Sequence, residues 1–148
     1  MILYDREYDK MKNSVVPFCD YIISKDKTMI QFERILDMLA KSYWASNRPK
    51  DIIQKSIDNS ICYGVYVQNV QVGFARIITD YATVYYICDV IIDEKFRGKG
   101  LGKRLINTIV DDEQLKVLTG MLLTSDAHGL YEHFGFVKSG EKFMILRH

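Results

Sequence analysis

Two spacings of apolar residues alternate along the chain. Between about 28 and 41, Ile30, Phe32, Ile35, Leu36, Leu39 and Ala40 recur at near-helical intervals, which predicts a helix capped by Thr28. After the interruption SYWASNRP, Pro49 suits the start of a second helix, KDIIQKSIDNS. The period then changes. ICYGVYVQ (61–68), VQVGFARIIT (70–79) and TVYYICDVIID (83–93) are rich in β-branched and aromatic residues and predict three strands. Gln68–Asn69 reads as a hairpin turn between the first two, and Asp80–Tyr81–Ala82 as the turn between the last two. A helix from about 100 to 113 carries Leu101, Leu105, Ile106, Ile109 and Val110 on one stripe. LKVLTGMLLT (115–124) is a further strand, AHGLYEHF a short helix, and FVKSGEKFMILRH a terminal hairpin around Ser139–Gly140. FCDYIIS (18–24) opens the series as a short strand.

The predicted order is β-α-α-β-β-β-α-β-α-β-β, a mixed α/β or α+β domain over residues 18–148. Residues 1–17, polar and irregular, read as an N-terminal extension. No repeat, low-complexity stretch or linker divides the chain, and 148 residues suit one core rather than two.

Composition narrows the function classes only a little. Apolar residues make up 48% and charged residues 26%, an ordinary globular balance, and the net charge of +1 supplies no general field for nucleic acid or an anionic membrane. The longest apolar run, VYYICDVII, contains Asp89 and is too short to span a bilayer. The opening MILYDREYDKMK lacks the pattern of a secretion signal. Cys19, Cys62 and Cys88 lie in strand-like stretches without metal-type spacing, which predicts buried reduced thiols, no metal site and a cytoplasmic setting.

Local chemistry concentrates in FRGKGLGKRL (96–105), between a strand and a helix. Glycines expose backbone N–H groups and let a ligand approach, and a helix starting there adds the positive end of its dipole. With Arg97, Lys99, Lys103 and Arg104 the segment reads as a phosphate or pyrophosphate cradle; the alternative is a solvated basic turn. It is not a Walker A loop, because Arg97 stands where that motif has glycine and Arg104 where it has Ser or Thr. Nor is it a dinucleotide fingerprint, because Lys103 occupies the place of the third glycine.

Arg97-Gly98-Lys99-Gly100-Leu101-Gly102 resembles the R/Q-x-x-G-x-G/A motif of the GNAT acetyltransferases. LLTSDAHGLYEHFGF resembles the family's later strand and helix, ending in Tyr-x-x-x-Gly-Phe at Tyr131, Gly135 and Phe136. The order of elements agrees over about residues 18–148. The resemblance implies a GNAT fold: a mostly antiparallel mixed sheet of six to seven strands, splayed at the central strand and flanked by about four helices. It also implies an acetyl-CoA-dependent N-acetyltransferase.

Carried over residue by residue, residues 97–102 with Lys103 would hold the pyrophosphate. Val90, Ile91 and Ile92 would offer backbone groups to the pantetheine arm, and a backbone N–H near Val90 would polarise the thioester carbonyl in a tetrahedral pathway. Tyr131 would protonate the departing thiolate; its plainer reading is a packing tyrosine. Thr124 stands where the family often has a cofactor-contacting asparagine.

An amine of pKa about 10 needs a base or a water chain to take its proton. Asp80, which otherwise caps its turn, and Asp89, which otherwise is a hydrogen-bonded structural carboxylate, are the candidates, with His128 a lesser one. A raised pKa would suit Asp89 to that role. Cys88 is not needed as a nucleophile, since direct transfer needs no acyl-enzyme. Tyr43, Trp44 and Arg48, with Tyr81 and Tyr85, are placed at the acceptor site, where two aromatics and an arginine suit a carboxylate or a flat apolar group; the alternative, above all for Trp44, is an anchor of the two helices to the sheet. The expected acceptor is a primary amine on a small molecule. A protein N-terminus or lysine is the in-class alternative, and an acyl-CoA-binding sensor without catalysis the rival. Partners beyond acetyl-CoA and the acceptor are a second copy of the chain, with no nucleic acid and no membrane.

Overall fold

The computed structural model describes residues 20–148 and the backbone of residues 2–4. Among these residues six strands form one sheet in chain order: β1 (Ile2–Tyr4), β2 (Ile22–Ser24), β3 (Ile61–Val67), β4 (Val70–Thr79), β5 (Val84–Ile92) and β6 (Thr119–Leu122). Neighbours are antiparallel through β5, and β6 is parallel to β5. That parallel pair requires a crossover, which α3 (Leu101–Val110) supplies. The helices α1 (Phe32–Ala40) and α2 (Lys50–Asp58) join β2 to β3, and α4 (His128–Glu132) follows β6.

Alternation along the strands builds a core on each face. Ile35, Met38, Leu39, Ile53 and Ile57 of α1 and α2 bury against Cys62, Phe74 and Ile91. On the other face Leu101, Leu105, Ile106 and Ile109 of α3 bury against Tyr63, Val65, Ile77, Tyr85 and Ile87. The period-2 pattern of the strands and the single stripe on α3 therefore mark real faces. The β3–β4 hairpin turns on Gln68 and Asn69, with φ of 49° and 65°, as two-residue hairpin loops require.

Several boundaries differ from expectation. The polar arm contains β1, which pairs with β2 at Ile2–Ser24, Leu3–Ile23 and Tyr4–Ile22. Thr28 does not cap a long helix. Asp26 accepts from its backbone N–H at 2.9 Å and caps a 3₁₀ turn (Lys27–Met29), after which α1 begins at Phe32. The stretch before Thr119 turns on the Asp112 carbonyl, which accepts from the backbone N–H of Leu115 and Lys116, and Leu115 enters the core. No strand forms in residues 137–148, so the expected terminal hairpin is absent there; one turn closes from Lys142 N–H to the Ser139 carbonyl at 3.3 Å. Cys19 lies outside the described residues, while Cys62 and Cys88 are free thiols.

Candidate active site

The site begins with a register shift. Phe74 pairs with Ile91 and Arg76 with Cys88, so Asp89 and Val90 together face the single residue Ala75. Asp89 adopts φ of 53°, the left-handed conformation at which a bulged strand takes in an extra residue. The bulge inverts the alternation. Tyr85 and Ile87 pack on the α3 side, whereas Ile91 packs under α1 and α2. Without the extra residue, Asp89 would share the apolar α3 side with Tyr85 and Ile87. With it, the carboxylate meets Arg76 of β4 and Arg48 of the α1–α2 connection.

The same strand is half open. Its ladder with β6 ends at Ile87–Leu122, and Cys88–Ile92 continues without a partner strand on that side among the described residues. Asp93 N–H turns toward β4, to the Val72 carbonyl at 2.8 Å, so by alternation Ile92 and Val90 turn their backbone groups away from β4. The Ile92 carbonyl accepts from Arg97 Nε at 2.9 Å, which fixes the glycine loop to the end of the strand. Val90 is left facing a cleft of about 780 Å³ between the diverging ends of β5 and β6.

Beyond β5 the loop carries two glycines in the left-handed region, Gly98 at φ 74° and Gly100 at 83°. Gly100 is the residue before the first turn of α3, which has neither a side-chain cap nor an acidic residue. The N–H groups of Leu101, Gly102 and Lys103 therefore have no partner within the helix and lie at the positive end of its dipole. Lys99 holds its ammonium 5.9 Å from the Phe96 ring centre, and Lys103 is exposed. Arg104, expected to reinforce the cradle, is instead buried, because it shares a helix face with Leu101 and Leu105.

Tyr43, Trp44, Arg48, Asp89, Val90, Thr124 and Tyr131 all line the cleft. Tyr131 is buried, and burial first, then the nearby Asp126 charge and Tyr43, push its phenol up to about 12. It is therefore a protonated donor at neutral pH. Thr124 spends its hydroxyl on the backbone N–H of Ala127 at 3.0 Å, at the entry to α4. Tyr43 and Trp44 stack edge to face at 5.0 Å, and Ser125 donates a hydrogen bond to the Tyr43 phenol.

Other expected site residues are elsewhere. Asp80 caps its turn, accepting from the backbone N–H of Ala82, Thr83 and Val84 and from the Thr83 hydroxyl. Those hydrogen bonds, the Thr83 hydroxyl first, hold its carboxyl far below the usual range, and it does not line the cleft. Tyr81 sits exposed on the same turn. Tyr85 faces the α3 core, where a Cβ at Gly120 would stand 2.6 Å from its ring. Ile91 and Ile92 are core residues and do not line the cleft, and neither does His128.

Asp89 does not have the raised pKa that would suit a base. Burial pushes its carboxyl up, but Arg48 Nη1 at 2.8 Å and Arg76 Nε at 2.9 Å outweigh that and hold it below the ordinary value. Cys88 lines the cleft as an inert thiol, pushed up to about 11 by burial and donating to the Arg76 carbonyl at 3.3 Å. The polar and charged residues of the lining that sequence reasoning missed are Arg76, Tyr86, Ser125, Asp126 and Arg147, and Ile145 joins them from the C-terminal segment. Tyr86 stands one position from Tyr85, and the strand's apolar run does not declare which of the two faces the cleft.

Comparison with known proteins decides what this arrangement belongs to. The model of the acetyltransferase (GNAT) domain matches residues 58–138, which hold the bulged strand, the glycine loop and Tyr131. The chain belongs to the GNAT acetyltransferases. A Gibberella zeae protein named as an acetyltransferase is 29% identical over 136 residues, 76% of either chain. A Xanthomonas campestris crystal structure assigned to the GNAT family is 34% identical, with a TM-score of 0.83 over 90% of this chain and 95% of that one. Aminoglycoside N-acetyltransferase AAC(6')-Iy, solved in complex with CoA, shares the fold at 19% identity and a TM-score of 0.65, covering 90% and 98%. The expected GNAT fold is thus present, with six strands among the described residues, within the expected six to seven.

The residues present suit a CoA thioester. An open strand edge at Val90, a loop whose glycines hold positive φ, and bare N–H groups at the start of α3 are the donor set for an amide-containing arm ending in a pyrophosphate.

Proposed function

We propose that the protein transfers an acetyl group from acetyl-CoA directly to a primary amine on a small molecule. The observation that carries this reading is the half-open, bulged β5, which leads from Tyr131 and Val90 in the cleft to the glycine loop. When bound, acetyl-CoA supplies the activated acyl group. Residues 97–103 would hold its pyrophosphate by backbone N–H groups, with Arg97 keeping the loop against Ile92. Val90 N–H, on the open edge, would stabilise the charge that develops on the carbonyl oxygen. Tyr131 would donate its proton to the leaving sulfur, an act for which a phenol kept protonated is suited.

The base follows from elimination within the cleft. Asp80 lies outside it, and Asp89 is held ionised, its carboxyl below the ordinary value, by two guanidiniums. Asp126 is the other carboxylate among the residues that line it, and it sits near Tyr131, so we assign it the proton from the amine, directly or through water. The free, buried thiol of Cys62 fits a reducing, cytoplasmic compartment, and residues 18–148 act as one domain in this reading.

The test is thermal unfolding with and without acetyl-CoA, followed by thiol release over a panel of amines. A rise in melting temperature with thiol release supports the reading. A rise without turnover for any amine favours a binding module, and no rise at all refutes both.

A further inference from the structure

The cleft is electrically lopsided. Asp126 lies at the Tyr131 end, among Tyr43, Ser125 and Thr124. Around the bulge, two guanidiniums (Arg48 and Arg76) face the single carboxylate of Asp89, and a third, Arg147, lines the same cleft beside Tyr86. Both Arg48 Nη1 and Arg76 Nε donate to the same oxygen, Asp89 Oδ2, so one carboxylate charge serves two cations. Arg76 spends a further N–H on Ser60 Oγ at 3.2 Å. Arg48 makes no second hydrogen bond among the described residues, and its side chain keeps 24% of its surface. Arg147, also exposed, forms no ion pair among the described residues.

This excess positive charge is not placed for the pyrophosphate. Arg147 acts on Tyr86, and Arg48 and Arg76 act on Asp89, whereas the glycine loop begins beyond Ile92. Along an extended strand Ile92 lies roughly 20 Å from Tyr86 and roughly 10 Å from Asp89. The cations therefore belong to the part of the cleft around the bulge and Tyr86, lined also by Ile145 and Arg147, where the acceptor enters in the proposed reaction.

We infer that the acceptor is a zwitterion: an amine that also carries an oxyanion, carboxylate or phosphate, held by Arg147 and the free N–H groups of Arg48, while its nitrogen lies toward Asp126 and Tyr131. This rests on the acetyltransferase reading and narrows its substrate class. An arginine fork suits either oxyanion, and the charge-assisted hydrogen bonds lost with a neutral amine would be left unmade in a partly desolvated wall.

The experiment compares matched amines that differ only in the anionic group. Amino acids are set against their carboxamides, and aminoalkyl phosphates against the corresponding amino alcohols. The expected result is a preference of about 10- to 100-fold in kcat/KM for the anionic member of at least one pair type, the worth of one charge-assisted hydrogen bond. In Arg147→Ala that ratio shrinks about tenfold, and Arg147→Lys restores part of it. Equal or better turnover of the neutral members, or a ratio that Arg147→Ala leaves intact, overturns the inference. Equilibrium binding of N-acetyl amino acids and N-acetyl aminoalkyl phosphates, each against its neutral counterpart and with CoA present, separates the two readings. Tighter binding of an anionic product without turnover of any amine keeps the anion site and refutes the acetyltransferase. Turnover with no discrimination in either assay does the reverse.

Discussion

Asp89 and Arg48 meet at 2.8 Å although 41 residues of chain separate them, and the contact exists because Asp89 is the extra residue of a bulge. The pair ties the α1–α2 connection, with Tyr43 and Trp44, to the strand that opens the sheet. Arg76 completes the cluster from β4 at 2.9 Å. Asp89→Asn would leave two guanidiniums facing each other with no charge between them. Breaking a fully buried pair costs about 3–5 kcal/mol, and the partial exposure of Arg48 lowers the expected loss to about 2–4 kcal/mol in urea unfolding. A change below about 0.5 kcal/mol would show that the cluster does not hold the connection in place.

Gly100 is the position where the cradle has least freedom. Its φ of 83° costs an L-residue roughly 1–2 kcal/mol, and Gly100 stands immediately before the first turn of α3. Gly100→Val should lower the melting temperature modestly and abolish its rise on adding acetyl-CoA. Gly140→Val, at an exposed position with open space around the new Cβ, should leave that rise intact. If the Gly100 variant keeps the full rise, the loop does not hold the cofactor.

These two positions differ in how far the sequence announced them. The glycine loop is a local device: its spacing, the preceding strand and the following helix all lie within a few residues, so motif and period suffice. The bulge depends on how β4 and β5 align, and no single-strand pattern reveals it. Parity explains the exchange of Tyr85 for Tyr86, since a strand that looks uniformly apolar does not declare which side faces which layer. Arg76, Asp126 and Arg147 come from three distant segments, and only the fold brings them to one cleft. Asp80 could be read either as a base or as a turn cap, because a turn-capping carboxylate and a catalytic one look alike until its donors, the N–H groups of Ala82, Thr83 and Val84, are seen.

Tyr131 separates binding from chemistry. Its ring stacks edge to face on Phe136 at 5.9 Å, so Tyr131→Phe keeps the packing and removes only the hydroxyl. With the proton donor gone, kcat should fall about 100-fold while the affinity for acetyl-CoA stays within about twofold. Because the phenol is pushed up to about 12, the wild-type rate should show no alkaline decline from this group below about pH 11. Equal kcat in the variant would reduce Tyr131 to a packing residue.

Acid should loosen the fold through Asp112. Its carboxylate accepts from Lys25 Nζ at 2.6 Å, from the Tyr63 hydroxyl at 2.7 Å and from Gln114 N–H at 2.9 Å, linking the segment after β2 to β3 and to the end of α3. Burial raises the carboxyl, but the Lys25 and Tyr63 hydrogen bonds outweigh it and set the folded value below the ordinary one. In the unfolded chain the group titrates near pH 3.9. Below about pH 5 the unfolded state thus binds more protons than the folded state, and stability falls as pH drops toward the folded pKa. Above that window the contribution is complete and flat. Asp89 behaves in the same direction, as do Asp93 and the exposed Asp26 and Asp80. Asp112→Asn should therefore begin from a lower plateau at pH 7 and lose less on acidification, with the slope reduced rather than abolished. Urea midpoints from pH 7 to pH 3 measure both. An acid slope identical to wild type would mean that Asp112 titrates alike in the folded and unfolded chains, and that the Lys25–Asp112–Tyr63 link contributes nothing to the pH dependence.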